Sequence, residues 1–195
     1  VSTSESQFIY ANSLDFMGGY PVSRHSVSCA LIAEHNESKQ RDYWYSVARD
    51  AVDLESAQEI GRKTGLRSAA RLGARKIATC EVPVIFEAPI ASSLIGHFAS
   101  AISGGSLYRK SSFLLDSIGE QVFAPDIQIL DLPYLPKGLG SGPFDEDGVA
   151  TMERKIVENG IVQGYFLGSY SARKLKMDTT GNAGGAHNLI IQSAN

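Results

Sequence analysis

The chain has 195 residues, 43% of them hydrophobic, and a formal net charge of -3 from 18 basic and 21 acidic side chains. That is enough apolar material for one large or two small globular units, and the interspersed signs exclude a broad positive footprint for nucleic acid. Cys29 and Cys80 are the only two cysteines, too few for a disulfide framework and in no paired zinc or redox motif, so a reducing cytoplasm is expected.

No stretch reaches the ~18 apolar residues of a membrane helix, and the N-terminus lacks a charged-then-apolar signal pattern, so a soluble chain is expected. It starts at Val1 and stops within a strand-like run at Asn195, which fits an excised segment of something longer.

In chain order, residues 8–47 are rich in Ser, Tyr, Val and Ile. Val27, Cys29 and Leu31 alternate with Ser26, Ser28 and Ala30. With turns at Gly18-Gly19 and Asn36-Glu37-Ser38, this predicts two or three antiparallel strands.

Ser56 followed by Glu59 reads as a capping box that opens a helix to about Leu72. Its inward stripe, spaced at three and four, is Ala57, Ile60, Gly61, Thr64, Gly65, Ser68, Ala69 and Leu72, with Arg62, Lys63, Arg67 and Arg71 pointing elsewhere.

A short strand is expected at 84–86. Pro89 then suits the first turn of a second helix, whose Leu94, Ile95, Phe98 and Ile102 form an apolar face that Gly104-Gly105 ends. Residues 128–132 read as a strand, residues 155–168 as a hairpin turning at Asn159-Gly160, and residues 188–192 as a last strand. Gly-rich loops lie at 138–143 and 181–185.

Candidate chemistry begins with four histidines at 25, 35, 97 and 187, since imidazole titrates nearest neutral pH. None has a partner at metal-ligand spacing. His97 lies on the second helix with Ser93 and Ala101 four positions away, so no histidine pair on that helix faces one metal. A histidine bonded to backbone or solvent is the ordinary state of such a residue.

Ser103-Gly104-Gly105-Ser106 reads as a helix stop, because anion cradles form at the other helix end. The loop at 138–143 lacks the Gly-Lys-Ser/Thr order, and no dinucleotide fingerprint follows a strand. Arg109-Lys110 beside Tyr108, and Arg173-Lys174 beside Tyr170, suit either a peptide carboxylate or solvated turns.

Residues 104–117, Gly-Gly-Ser-Leu-Tyr-Arg-Lys-Ser-Ser-Phe-Leu-Leu-Asp-Ser, closely resemble a block characteristic of PmbA/TldE-type proteins of the TldD/PmbA family. The likeness continues through Lys137-Gly138-Leu139, Pro143-Phe144-Asp145, Asp147-Gly148-Val149, the run at 169–175, the run at 180–185 and His187-Asn188.

The resemblance implies a cytoplasmic bacterial family in which a TldD-type subunit is a zinc-dependent peptidase and the PmbA/TldE type is its homologous partner. The pair is linked to maturation of microcin-type peptides and to antitoxin degradation, and an older label is modulator of DNA gyrase. It also implies an α+β fold of antiparallel strands with two main helices, the central segment of a longer chain. Residues 1–125 would belong to an α+β N-terminal domain, and residues 126–195 would start a mainly β C-terminal domain.

TldD-type chains carry His-Glu-x-x-x-His on the metal helix. Laid on the present helix, that motif puts Gly96 at the first His, His97 at the Glu and Ala101 at the second His. Gly96 and Ala101 offer no ligand, so no cofactor is expected in this chain and zinc is expected in the partner.

The expected partners are a TldD-type subunit or a second copy of the chain, with a peptide as substrate and neither nucleic acid nor membrane. Arg109, Lys110, Arg173 and His187 are candidate peptide contacts, and no residue is assigned a catalytic role. Two alternatives stay open, a zinc-dependent peptidase in its own right and an interaction protein acting on gyrase.

Overall fold

The computed structural model describes residues 1–193. The chain divides into two compact units. The first comprises Val1–Phe8 and Pro21–Val84, the second Ile9–Tyr20 and the chain from Ile85 onward. The expected division after residue 125 falls within the second of these.

β1 (Ser2–Ala11), β2 (Met17–His35) and β3 (Ser38–Ala48) form a sheet in the order β1-β2-β3, whose residues to Phe8 and from Pro21 belong to the first unit and whose Ile9–Tyr20 portion belongs to the second. β2 and β3 pair antiparallel, with Cys29 opposite Trp44 and His35 opposite Ser38. Asn36, at φ 52°, takes the left-handed conformation of the expected turn.

Gly18 and Gly19, read from sequence as a turn, lie instead within β2. The chain reverses at 12–16, where the Asn12 side chain accepts the N–H groups of Leu14 (2.9 Å) and Phe16 (3.3 Å). Gly18 is there for space: a Cβ would lie 2.8 Å from the Phe144 ring and 3.0 Å from the Phe16 ring. Those two rings stack edge to face, 5.2 Å between centroids, and all three residues belong to the second unit.

α1 (Ala57–Ala70) starts as expected, with Ser56 Oγ accepting the Glu59 N–H at 3.2 Å. The capping box is half made, because the Glu59 carboxylate takes the Arg62 guanidinium instead (2.8 Å). The buried stripe is narrower than the spacing predicted: Ile60, Thr64 and Ser68. Thr64 donates to the Ile60 carbonyl (2.7 Å) and Ser68 to the Leu31 carbonyl (3.1 Å), which lets two hydroxyls sit inside without loss.

Arg67 and Lys63 do not simply point to solvent. Each cation lies 5.1 Å from the centre of the Trp44 ring. Glu55 accepts from Trp44 Nε1 (3.3 Å) and Lys63 (2.6 Å). Asp42, buried, faces Arg67 and Arg71, each at 3.6 Å. The Tyr43 N–H, foremost, and these two guanidiniums hold its carboxyl below the ordinary 3.8 against the opposing effect of burial.

The expected strand at 84–86 is not formed. Those residues are irregular and exposed, Ile85 at 97%, with no strand beside them among the described residues, so an apolar run alone gains nothing by extending.

The second unit is built on α2 (Ala88–Ala101), α3 (Gly104–Tyr108), β4 (Ile127–Asp131), β5 (Arg154–Glu158), β6 (Ile161–Val162), α4 (Ser169–Leu175) and β7 (Leu189–Ser193). Pro89 lies in the first turn of α2. Phe98, Ala101 and Ile102 are buried, whereas Leu94 is 46% exposed. Gly104-Gly105 do not stop this helix; it ends at Ile102, and the glycines open α3 behind the cap Ser103.

The sheet runs β6-β5-β4-β7, antiparallel throughout. Asn159 (φ 52°) and Gly160 (φ 78°) make the predicted hairpin turn, and a Cβ on Gly160 would lie 2.4 Å from the Phe123 carbonyl oxygen. Ile129, Ile156, Val157, Val162 and Leu167 are fully buried against Phe98, Ile102 and Leu107. Each large aliphatic contributes about 1.5–3 kcal/mol by leaving water. The chain is thus α+β, with antiparallel strands and two long helices supplemented by the short α3 and α4.

Candidate functional site

Two loops and two short helices of the second unit border an open cleft with a volume of about 720 Å3. The link between helices is a short parallel bridge: Gly104 N–H donates to the Phe166 carbonyl (2.8 Å) and Phe166 N–H to that of Ile102 (3.1 Å). α3 and α4 then pack so closely that a Cβ on Gly104 would lie 2.2 Å from Ser171 Oγ. Their outer ends carry Tyr108 and Tyr170, edge to face at 5.5 Å, and both rings line the cleft.

α4 was not anticipated, because its own sequence does not cap it. Gly168 at the N-cap has no side chain, and the first N–H, that of Ser169, is taken by Asp147 Oδ2 (2.8 Å), 22 residues away in sequence. At the other end the left-handed residue is Lys176 (φ 57°), where glycine would have signalled a stop.

The opposite wall is the Gly-rich loop at 181–186, held from behind by buried polar groups. Asp145, 4% exposed, accepts the N–H groups of Asp147, Val149 and Ala183, each at 2.9 Å. Asp131, fully buried, accepts from the His187 N–H (2.8 Å) and the Asn182 amide (2.9 Å), and its Oδ2 lies 3.1 Å from His187 Nδ1.

Asn182 is the hub of this network. Its Oδ1 accepts from Arg154 and from Thr180, each at 2.9 Å, and its Nδ2 also reaches the Gly185 carbonyl (3.1 Å). Arg154 donates as well to the Tyr165 carbonyl (2.9 Å). Partial burial pulls the Arg154 guanidinium below its ordinary value, and the charge of nearby Asp131 opposes that. Gly184 (φ 94°) and Gly185 (φ 115°) take backbone conformations that only glycine adopts readily.

The sequence-derived candidates are dispersed. His97 is exposed on α2, Gly96 is exposed beside it and Ala101 is buried. Arg109 is exposed at the end of α3, its guanidinium 5.4 Å from the Tyr108 ring centre, and Lys110 follows at φ 57°. Arg173 is exposed on α4, whereas the His187 side chain is 12% exposed within the Asp131 network. Asp131, Asp145, Arg154 and Asn182 were missed by sequence reasoning. The partners that join them across the fold lie 28 to 56 residues away, and no spacing rule finds such pairs.

The arrangement offers a cleft with an aromatic wall and a braced, Gly-rich wall of accessible main chain. Positions 96 and 101 carry no donor atom, and no group of three or more His, Cys, Asp or Glu side chains converges among the described residues.

Fold and sequence together define a metallopeptidase-family protein. The signature of the PmbA/TldA metallopeptidase central domain matches residues 1–72 and that of the C-terminal domain matches residues 79–195. The chain belongs to the PmbA/TldD family.

It is 46% identical over 184 residues to the "Metalloprotease PmbA homolog" of Haemophilus influenzae, and 28% identical over 174 residues to the "Metalloprotease TldD homolog" of the same organism. These alignments cover 94% and 83% of the chain but only 41% and 35% of the relatives. Among solved structures it superposes on a candidate modulator of DNA gyrase from Bacteroides thetaiotaomicron with a TM-score of 0.91 and 27% identity, covering 97% of this chain and 43% of that one. The chain therefore spans less than half the length of its relatives. No helix among the described residues is long and apolar enough to cross a membrane.

Proposed function

We propose that this chain is part of a PmbA/TldE-type subunit that works with a TldD-type zinc peptidase in the cytoplasm, in peptide maturation or proteolysis of the microcin-precursor and antitoxin kind. The observation that carries this reading is the ligand-poor α2. The helix that resembles the metal helix of TldD-type chains presents Gly96, an exposed His97 and a buried Ala101, none of which completes a zinc site. The residues do not fit the metal, so hydrolysis is assigned to the partner and this subunit to binding and shaping the peptide's path. Haemophilus influenzae has both a PmbA and a TldD relative of this chain, which supports a paired arrangement.

The test is to mix the full-length protein with a TldD-type partner and follow cleavage of a peptide. The two are expected to co-elute and to cleave faster than the partner alone. A partner that gains no activity contradicts the reading.

A second reading, a zinc-dependent peptidase in its own right, is favoured by the name metalloprotease that the PmbA relatives carry. Under it, the full-length protein alone cleaves peptide and loses bound zinc on His97→Ala. A third, an interaction protein acting on gyrase, is favoured by the description of the Bacteroides thetaiotaomicron neighbour, and requires direct binding to purified gyrase.

A further inference from the structure

The cleft of the second unit has a polarity that its aromatic and glycine walls alone do not explain. Asp147 is the one charged side chain that lines it. One of its carboxylate oxygens holds the Ser169 N–H, and the other has no partner among the described residues. The Glu146 carboxylate lies against Gly184, where a Cβ would come within 2.8 Å of Oε1. The N–H and C=O of Gly184 itself take no hydrogen bond among the described residues, in a loop whose neighbours Ala183 and Gly185 are both tied down.

Asp147 in the lining and Glu146 beside Gly184 thus set two carboxylates near an N–H and a C=O that take no hydrogen bond among the described residues. Two cations flank the aromatic wall outside the lining: Arg109 lies 5.4 Å from the Tyr108 ring centre, and Lys174 5.5 Å from that of Tyr170.

We propose that this cleft captures the amino-terminal segment of a peptide, with its ammonium group between Asp147 and Glu146, its main chain bonded to Gly184 and its following side chains on the Tyr108–Tyr170 pair. A volume of about 720 Å3 falls in the range of ligand pockets, roughly 300–1,000 Å3. An ammonium paired with carboxylates, next to a free N–H and C=O, matches a peptide terminus better than a lysine side chain, which carries no adjoining amide to satisfy Gly184. The cations beside Tyr108 and Tyr170 favour an acidic residue downstream and repel a basic one. The Arg154–Asn182–Asp131–His187 network, buried at Asn182 and Asp131, positions the Gly184 loop and does not itself touch the peptide.

The inference rests on the peptide-handling role proposed above, yet its test needs no partner, so the two fail separately. Full-length protein is titrated with three pentapeptides bearing a fluorophore at the carboxyl end: Ala-Gly-Ala-Phe-Glu with a free amine, the same peptide acetylated, and acetylated Ala-Lys-Ala-Phe-Glu. The free-amine peptide is expected to bind about tenfold more tightly than either acetylated one, and Glu146→Gln or Tyr170→Ala to remove most of that binding. Both residues are exposed and outside the buried network, so these variants are expected to fold. Asp147→Asn, which keeps an oxygen for Ser169, is expected to act in the same direction. Equal binding of the free and acetylated peptides overturns the proposal, as do preference for the lysine peptide, affinity unchanged by all three substitutions, or no binding at all.

Discussion

The two units use buried polar groups in opposite ways. In the first, Asp42, Glu55, Lys63 and Arg67 gather around Trp44 near the surface, where α1 packs on β3, and the fully buried apolar content is little more than Ile60. In the second, a large aliphatic core is complete in itself, and Asp131, Asp145, Arg154 and Asn182 are spent holding a loop against a cleft. Charges at the margin add to stability in small, salt-sensitive amounts. Charges in the interior are tolerated only when every partner is present, which is why the second set points to function.

The sharpest way to break this contrast is at Asp131. Asp131→Ala removes the buried acceptor of the Asn182 amide and the His187 N–H and is expected to destabilise the second unit by about 1–3 kcal/mol, read by urea unfolding of the full-length protein. A loss no larger than that of a surface pair removes the distinction drawn here. Next is Gly104→Ala, which drives a methyl into Ser171 and is expected to cost about 1–3 kcal/mol, partly recovered in the double variant with Ser171→Gly because the clash is with that side chain.

In the first unit, Asp42→Asn is expected to cost about 1 kcal/mol at neutral pH. The folded-state pKa of Asp42 is depressed below 3.8, so its contribution is present above that value and disappears as pH falls through the lower folded one. Wild type and variant should therefore converge in acid, and a gap that persists at low pH locates the effect elsewhere. Smallest of all, His97→Ala on the exposed face of α2 is expected to change stability by less than about 0.5 kcal/mol.

Those sites also mark how far the sequence could be read. Strand alternation, the Ser56 cap, Pro89 and the Asn159-Gly160 turn are local signals, and the elements they announce formed. Gly18-Gly19 misled because glycine also marks close approach, here of the Phe144 ring to a strand. Gly104 misled in the same way, by closeness to Ser171. α4 was hidden because Asp147 caps it from a distant loop. The cleft could be sensed only as two Tyr-Arg/Lys pairs and two Gly-rich loops, since the long-range hydrogen bonds that assemble it leave no trace in spacing.

The central claim, that this subunit binds peptide for a zinc-bearing partner, is tested most directly by elemental analysis of the full-length protein, alone and after mixing with a TldD-type partner. Zinc found only in the mixture is the predicted result. Stoichiometric zinc in the protein alone would contradict it, and would mean that residues outside this segment complete a site that α2 does not.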